Sequence, residues 1–268
     1  MSFAGSFVSL AGDEGGYQPP GPSSLDVPPL FHVAGFGVTK PMLIYVLAAI
    51  LVFWFFYAAS KQRAMVPSKL QFAGESMYAG VRNGLGRDLI GSKDFMPFVP
   101  YLVTLFFFIL LNNWFGSIPF FQFPPFGRVS YAYALAGLSW VIYNAVGVRR
   151  HGFVGYLKLQ TVPGGVGGPI LLLLVPLEFM SNLLIRPITL SLRLFANMFA
   201  GHILALLFAT GGEYLLLHTS AALAPAGFVA WLLAIAVAFL ELLVQFLQAY
   251  VFTLLNAMYI SGALAEEH

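Results

Sequence analysis

Long apolar runs are the feature of this chain that most limits what it can fold into. The first, "PMLIYVLAAILVFWFFYAA" at 41–59, has 19 residues and no charge, and about 20 apolar residues suffice for a helix to cross the hydrocarbon core of a bilayer. Only 9% of the chain is charged, against about 25% in soluble domains. Its 27 phenylalanines exceed what a soluble core can hide. The pattern predicts an all-α polytopic membrane protein.

Six such runs predict about five to six membrane helices within a single transmembrane domain, 38–262. The runs lie near 41–59, 97–116, 131–148, 169–186, 188–211 and 226–260. The last two are long and are joined by a short linker at 212–226. We therefore expect them to form a tilted, antiparallel C-terminal helix hairpin.

The distribution of basic residues predicts which side of the membrane each loop occupies. Six of the 13 basic residues fall in the loop 60–96, and loops rich in lysine and arginine remain cytoplasmic. The Gly-, Pro- and Ser-rich tail 1–37 is then external, and residues 263–268 form a cytoplasmic tail. The N-terminus lacks a basic segment followed by a long apolar core, so we expect no cleaved signal peptide.

Composition and motif searches argue against several functional classes. The chain has no cysteine, which excludes disulfides and thiolate nucleophiles. It shows no metal-ligand spacing such as HExxH and no Ser–His–Asp pattern, so we expect no cofactor, no metal site and no catalytic site of its own. Basic patches interleaved with aromatic residues are missing, so nucleic acid is not an expected partner.

One charged residue interrupts a membrane helix and needs an explanation. In "LSLRLFANMFAGH" (190–202), Arg193 lies in an otherwise apolar pattern, and an arginine at the bilayer centre costs about 2.5–3.5 kcal/mol on insertion scales. At about 100° per residue, Arg186, Thr189, Asn197 and Gly201 share its face, while His202 lies on nearly the opposite side.

The final helix carries a second polar stripe. It consists of Glu241, Gln245, Gln248 and Asn256, which fall within about 80° of one another. One antiparallel register pairs the polar residues of the two helices: Arg193 with Gln248, Asn197 with Gln245, His202 with Glu241, and Arg186 with Asn256. That register pairs polar groups that lipid cannot satisfy.

Two interpretations of these stripes remain open at this point. Polar residues often join membrane helices to each other, which is a sufficient role for Gln245 or Asn256. Ionisable groups in adjoining spans, here Arg193, His202 and Glu241, more often line an ion or proton path. Histidine exchanges protons near neutral pH, whereas arginine stays protonated and can act only as a fixed charge.

Three motifs resemble the a subunit of F-type ATP synthases, the membrane stator beside the rotating ring of c subunits. They are "LSLRLFANMFAGH", the final-helix segment "ELLVQFLQAYVFTLLNAMYIS" and "NNWFGSIP" at 112–119. The resemblance covers about 40–262 and points to bacterial members, hence to a bacterial inner membrane. It implies as partners the c-subunit ring, the b subunits of the peripheral stalk, the F1 sector indirectly, and the lipid bilayer.

The resemblance also implies roles for individual residues. Arg193 is expected to be the essential stator arginine that faces the c-ring carboxylate and blocks leakage between two proton half-channels. The outer half-channel is expected to be lined or bordered by Asn197, His202, Glu241, Gln245 and Gln248, with Asn112 and Asn113 as candidate contributors. Glu178 is expected beside the inner half-channel.

Two other functions compete with this interpretation. A secondary transporter usually shows repeats and broken helices in matching halves, and neither is visible here. A passive membrane scaffold would use its polar residues for packing alone. Replacement of Arg193 by alanine separates these functions, because only a stator loses coupled pumping while it keeps its assembly.

Overall fold

The computed structural model describes residues 17, 19–21, 29–33, 36–61, 68–92, 94–118, 123–162, 170–219 and 222–265. Within these residues, five helices are long and apolar enough to cross a membrane. They are Lys40–Lys61, Met96–Ser117, Val129–Thr161, Leu172–Leu217 and Ala224–Leu264. The prediction of an all-α polytopic membrane protein is confirmed. Most of the external tail 1–37, and 266–268 of the C-terminal tail, lie outside the described residues.

The elements follow one another along the chain with few extended segments. A short antiparallel hairpin, which the sequence did not predict, precedes the helices. The elements are β1 (Phe31–Val33), β2 (Phe36–Val38), α1 (Lys40–Lys61), α2 (Lys69–Val81), α3 (Asp88–Ile90), α4 (Val99–Ser117), α5 (Val129–Thr161), α6 (Ile170–Phe179), α7 (Arg186–Leu217) and α8 (Ala224–Leu264). Wide π-type turns at Arg82–Arg87 and Met180–Ile185 join α2 to α3 and α6 to α7.

The two spans expected at 169–186 and 188–211 form one continuous helical run, Leu172–Leu217. Pro187 lies within this run, and it has no backbone N–H to donate to the carbonyl four residues earlier, that of Leu183. The wide turn Met180–Ile185 accommodates the proline. The Leu183 carbonyl instead accepts a hydrogen bond from the Trp140 indole nitrogen at 2.9 Å.

Helix α5 extends well beyond the span expected at 131–148 and folds back on itself. Gly152 has φ +74°, a left-handed conformation. The Tyr156 hydroxyl then reaches Asn144 Oδ1 at 3.0 Å, although the two residues are 12 apart, which is about 18 Å along an uninterrupted helix. Gly147 lies under the Tyr156 ring, where a Cβ atom would stand 2.1 Å from it. We call 153–161 the return arm of α5.

The core surrounds α4, and the remaining helices present an apolar surface outward. Helix α4 packs against α1, α2 and α8, and its residues Leu102 and Ile109 are fully buried. Large apolar side chains such as Phe53, Leu172 and Phe239 are exposed on the outside. Because lipid rather than water surrounds a membrane helix, this exposure is what a membrane-spanning bundle requires.

Helices α7 and α8 form the expected antiparallel hairpin. Gly201 lies against Glu241, with a Cβ position 3.3 Å from the carboxyl carbon. This contact agrees with the register inferred from the two polar stripes. Near the turn, Gly212 and Gly227 bring the two backbones together, since a Cβ on either glycine would stand 3.1 Å from the other's carbonyl oxygen. The sequence predicted a linker at 212–226. In the structure the linker is shorter, because α7 continues to Leu217 and α8 begins at Ala224.

Candidate ion-conducting site

The polar stripe of α8 is buried and faces α4 as well as α7. Glu241, Gln245, Gln248 and Asn256 are all buried. Gln245 Nε2 donates to Ser117 Oγ at 2.6 Å and to Glu241 Oε1 at 3.1 Å. Asn113 Nδ2 donates to the backbone carbonyl of Gln245 at 3.2 Å. We call Asn112, Asn113, Ser117, Glu241 and Gln245 the α4–α8 cluster.

The α4–α8 cluster contains more buried hydrogen-bonding capacity than its own bonds use. Asn112 Nδ2 donates to the Phe108 carbonyl of its own helix, but Asn112 Oδ1, Asn113 Oδ1 and Gln245 Oε1 have no partner among the described residues. Gln248 Nε2, one turn further along α8, is likewise buried without a partner in this part of the chain. Buried polar groups in that condition are costly unless water or a transported ion interacts with them.

The cluster corrects the partners inferred from the α7–α8 register. Gln245 bonds to Ser117 on α4 rather than to Asn197. Asn256 accepts from the Tyr101 hydroxyl of α4 at 3.3 Å rather than from Arg186. The Arg186 guanidinium lies 5.2 Å from the Tyr259 ring centre, an arrangement that favours a cation–π contact. The sequence did not reveal α4 as a partner, because the polar stripes of α7 and α8 have similar spacing and can be paired with each other completely.

His202 and Asn197 border the cluster from α7. Both are half-buried. Glycine at 201, next to His202, leaves room for the Glu241 carboxyl group against the backbone of α7. Neither His202 nor Asn197 makes a side-chain hydrogen bond within the described residues. The hairpin therefore brings an imidazole into the neighbourhood of an acid without pairing the two.

Arg193 lies on the exterior of the hairpin and not inside the α4–α8 cluster. Its side chain is exposed, and its guanidinium has no hydrogen bond or ion pair to any residue that the structure describes. Thr189, Ala196 and Ala200, which share its face at three- and four-residue spacing, are also exposed. Small residues in such a row allow a neighbouring helix to approach the backbone closely.

A second polar cluster lies near the N-terminal end of the Leu172–Leu217 helix, on the other side of Arg193 from Gly201 and His202. Asn182 Nδ2 donates to Glu178 Oε2 at 3.0 Å and to the Gln160 carbonyl at 2.6 Å. Gln160 Nε2 donates to the Tyr156 hydroxyl at 3.2 Å, and that hydroxyl donates to Asn144 Oδ1. We call Asn144, Tyr156, Gln160, Glu178 and Asn182 the return-arm cluster.

Sequence reasoning found only Glu178 among the members of the return-arm cluster. Asn182 was detectable, because it follows Glu178 by four residues and so shares its helix face. Tyr156 and Gln160 were not, because they reach the cluster only through the reversal at Gly152. A glycine after the basic segment "RRH" was the available signal for a chain reversal there.

The structure thus groups the candidate residues into three separate places. The α4–α8 cluster contains Asn112, Asn113, Glu241 and Gln245, with Asn197, His202 and Gln248 beside it. Glu178 belongs to the return-arm cluster, and Arg193 stands alone on the outer face. The described residues contain no group of three His, Cys, Asp or Glu side chains that could hold a metal ion.

The fold and these clusters define a polytopic α-helical membrane protein that gathers polar side chains inside a lipid-facing bundle. A family model of the ATP synthase A chain matches residues 42–261. The chain belongs to this family. Its members are components of the ATP synthase complex, which places the chain in the membrane and in ATP synthesis and ion transport.

Similar proteins extend the match to the whole chain. A protein of Nocardioides sp. named ATP synthase subunit a is 65% identical over 100% of both chains. A protein of the same name from Pseudarthrobacter chlorophenolicus is 45% identical and covers 96% of this chain and 97% of its own. One from Streptomyces lividans is 41% identical over 94% of this chain and 90% of its own.

Proposed function

We propose that the chain translocates protons through two offset half-channels that lead to and from a carboxylate of a c-subunit ring. The observation that carries the proposal is the exposed Arg193, which has no partner among the described residues and lies in a row of small side chains on the bundle exterior. An unpaired guanidinium facing lipid is expensive. A passing carboxylate on a partner helix supplies the missing counter-charge.

The chemistry of arginine suits this role. A guanidinium does not release its proton in proteins, so Arg193 cannot relay protons itself. It attracts an ionised carboxylate and repels a cation that moves along the path. A carboxylate that passes Arg193 must therefore have released its proton on one side, and it takes up another on the other side.

The α4–α8 cluster supports the outer half-channel of this proposal. Asn112, Asn113, Gln245 and Gln248 each have a buried polar atom without a partner among the described residues, Glu241 lies next to Gln245, and such atoms can bind a chain of water molecules. His202 and Asn197 lie beside them on α7. An imidazole and a carboxyl group are suited to pass protons along such a chain.

The return-arm cluster supports the inner half-channel. Glu178 supplies an acidic group held by Asn182, and Arg193 lies 15 residues further along the same helical run, about 22 Å away. His202 lies nine residues beyond Arg193, about 13 Å in the other direction. An arginine between two polar clusters can act as the barrier that keeps them from short-circuiting.

This role implies a set of partners and an orientation. The c ring is the moving partner, b subunits of a peripheral stalk hold the chain in place, and the F1 sector acts at a distance. We place the chain in a bacterial inner membrane with its N-terminus outside and its C-terminus cytoplasmic. It has no catalytic site of its own. A proton gains only about 2.3 kcal/mol per 100 mV, so several must pass for each ATP.

Replacement of Arg193 by alanine tests the proposal in the assembled complex. In inverted membrane vesicles we expect Arg193→Ala to abolish ATP-driven proton pumping, while the amount of assembled complex stays unchanged. Arg193→Lys is expected to restore little, because a lysine ammonium lacks the planar fork that pairs with a carboxylate. Leu192→Ala is the matched control, since Leu192 is exposed on the same helix turn.

The same experiment distinguishes the competing functions. If the chain is a passive scaffold, Arg193→Ala should either lower the amount of assembled complex or leave its proton pumping normal. A secondary transporter keeps proton flux that does not require the c ring. Undiminished pumping by Arg193→Ala in fully assembled complexes contradicts the proposal.

A further inference from the structure

A cavity between α1 and α2, whose lining includes no residue of either polar cluster, contains charged and polar groups that nothing described so far uses. Its volume is about 460 Å³, and it lies where α1 ends at Lys61, hence at a membrane–water boundary. We call it the head pocket. Its lining includes Phe56, Ser60, Gln71, Glu75, Tyr78 and Arg82.

Two buried polar atoms of the head pocket lack partners. Gln71 is only 7% exposed; its Nε2 donates to Glu75 Oε1 at 2.8 Å, but its Oε1 accepts from none of the described residues. Arg82 Nε is buried and equally unpaired within that part of the chain. The pocket therefore presents a free acceptor, a carboxylate and a guanidinium within one cavity.

An apolar groove continues from the head pocket along the membrane-embedded part of α1. Its volume is about 490 Å³, and it shares Phe56, Ser60 and Tyr78 with the head pocket. The remaining lining comes from α1 and α4, and it is apolar except for Tyr57 and Thr104. A polar cavity that opens into a long apolar groove has the form of a phospholipid, with its headgroup at the boundary and an acyl chain below.

The charges in the head pocket select among headgroups. Arg82 matches a phosphate, because guanidinium groups bind phosphate oxygens in two-pronged fashion. Glu75 and the unpaired Gln71 Oε1 match a group with several N–H donors and a positive charge, such as a primary ammonium. A quaternary ammonium has no N–H to give, and a purely anionic headgroup meets the Glu75 carboxylate.

We propose that the head pocket and its groove bind a phospholipid that carries a primary ammonium next to its phosphate, as phosphatidylethanolamine does. The phosphate lies against Arg82, the ammonium lies against Glu75 and Gln71, and one acyl chain occupies the groove between α1 and α4. The lipid then connects α1 and α2 at the edge of the bundle. This site is independent of the proton path.

Native mass spectrometry of the delipidated full chain in detergent tests the site. We expect dioleoyl phosphatidylethanolamine to bind about tenfold more tightly than dioleoyl phosphatidylcholine, the effect of removing well-placed buried hydrogen bonds to charge. Arg82→Gln is expected to weaken phosphatidylethanolamine by about the same factor. Arg87→Gln, which removes an exposed arginine from the same wide turn, should leave binding unchanged.

Glu75→Gln provides a sharper test, because it should change selectivity rather than only affinity. Loss of the carboxylate removes the partner of the ammonium group, and it also removes the repulsion of anionic headgroups. The affinity for dioleoyl phosphatidylglycerol should therefore rise relative to the affinity for phosphatidylethanolamine. If Glu75 had only a structural role, Glu75→Gln would weaken both lipids and leave the ratio of their affinities unchanged. Free phosphoethanolamine, which lacks acyl chains, should not compete at concentrations where the lipid binds.

A groove variant keeps the proposal testable if substitutions in the head pocket impair folding. Ala49 is exposed and lines the groove, so Ala49→Trp should obstruct the acyl chain and lower binding several-fold. Ile50→Trp is its control, since Ile50 is exposed on the same helix outside the groove. Equal binding of all headgroups, or equal loss with both tryptophan variants, overturns the proposal.

Discussion

Glycine at position 201 lets the Glu241 carboxyl group lie directly against the backbone of α7. A Cβ at 201 would stand 3.3 Å from Glu241 Cγ, Cδ and Oε1, which is closer than side-chain carbons normally approach. Any larger residue must displace the acid. The acid is in turn held by the Gln245 amide at 3.1 Å, so this one position controls the geometry of the α4–α8 cluster.

Gly201→Ala should therefore reduce proton transport without a loss of folding. We expect ATP-driven pumping to fall several-fold, because Glu241 must shift by a few tenths of an ångström and its bond to Gln245 weakens. Helix propensity alone favours alanine by about 1 kcal/mol, so assembly should persist. The measurement is pumping in inverted vesicles, normalised to assembled complex.

Gly262→Ala is the matched control for this substitution. Gly262 lies in α8, and a Cβ there would meet nothing within 4 Å. Its variant should pump normally. If the Gly201→Ala complex pumps as well as the Gly262→Ala complex, then proton transport does not depend on glycine at 201 to position Glu241.

At the scale of single elements, α5 is unusual because its return arm supplies part of a polar cluster. The reversal depends on two glycines, Gly152 with its left-handed φ and Gly147 beneath the Tyr156 ring. Gly152 also has ψ 165°, a combination that is essentially restricted to glycine and costs other residues about 1–3 kcal/mol. The return arm then connects to Glu178 through Asn182 and the Gln160 carbonyl.

Gly147→Ala should detach the return arm from the rest of α5. The added methyl group overlaps the Tyr156 ring at 2.1 Å, and overpacking of this kind costs about 1–3 kcal/mol. We expect faster amide hydrogen exchange across 153–161 and reduced proton pumping. Gly137→Ala on the same helix, where a Cβ would meet nothing within 4 Å, should leave both unchanged. Unaltered exchange in Gly147→Ala contradicts this account of the reversal.

At the scale of the whole molecule, the two polar clusters are separate and Arg193 lies between them along one helix. The helical run Leu172–Leu217 makes this arrangement possible, because one continuous element carries Glu178, Arg193 and His202. In the proposed function, neither cluster conducts through the membrane by itself. Each needs the rotor to carry a proton from one to the other.

This arrangement predicts how double substitutions combine. Arg193→Ala should open a passive proton leak in vesicles that contain the assembled complex, because the electrostatic barrier is gone. Adding Glu241→Gln or Glu178→Gln should diminish that leak, since each removes one of the two paths. Glu213→Gln, which changes an exposed acid of α7, is the control and should leave the leak intact. A leak that is unchanged by both Glu241→Gln and Glu178→Gln contradicts the two-cluster arrangement.

Much of the fold could be predicted because a membrane helix can be recognised from a short stretch of local sequence. A run of about 20 apolar residues has few alternatives in lipid, and the polar faces of α7 and α8 follow from helical periodicity. Arg193 and Glu241 stood out for the same reason, as charges in apolar surroundings. The continuous helix Leu172–Leu217 was the exception, since the sequence predicted two spans where the structure has one run with a wide turn at Met180–Ile185.

By itself, the amino-acid sequence determined that the chain is a bundle of membrane-spanning helices, that the last two form an antiparallel hairpin, and which residues are costly in lipid. Only the tertiary structure decided that the α8 stripe bonds to Ser117 and Tyr101 of α4, that the return arm reaches Glu178, and that Arg193 faces outward. The physical reason is that periodicity specifies which face of a helix is polar. Which of several neighbouring helices meets that face depends on packing, and packing joins residues far apart in the chain.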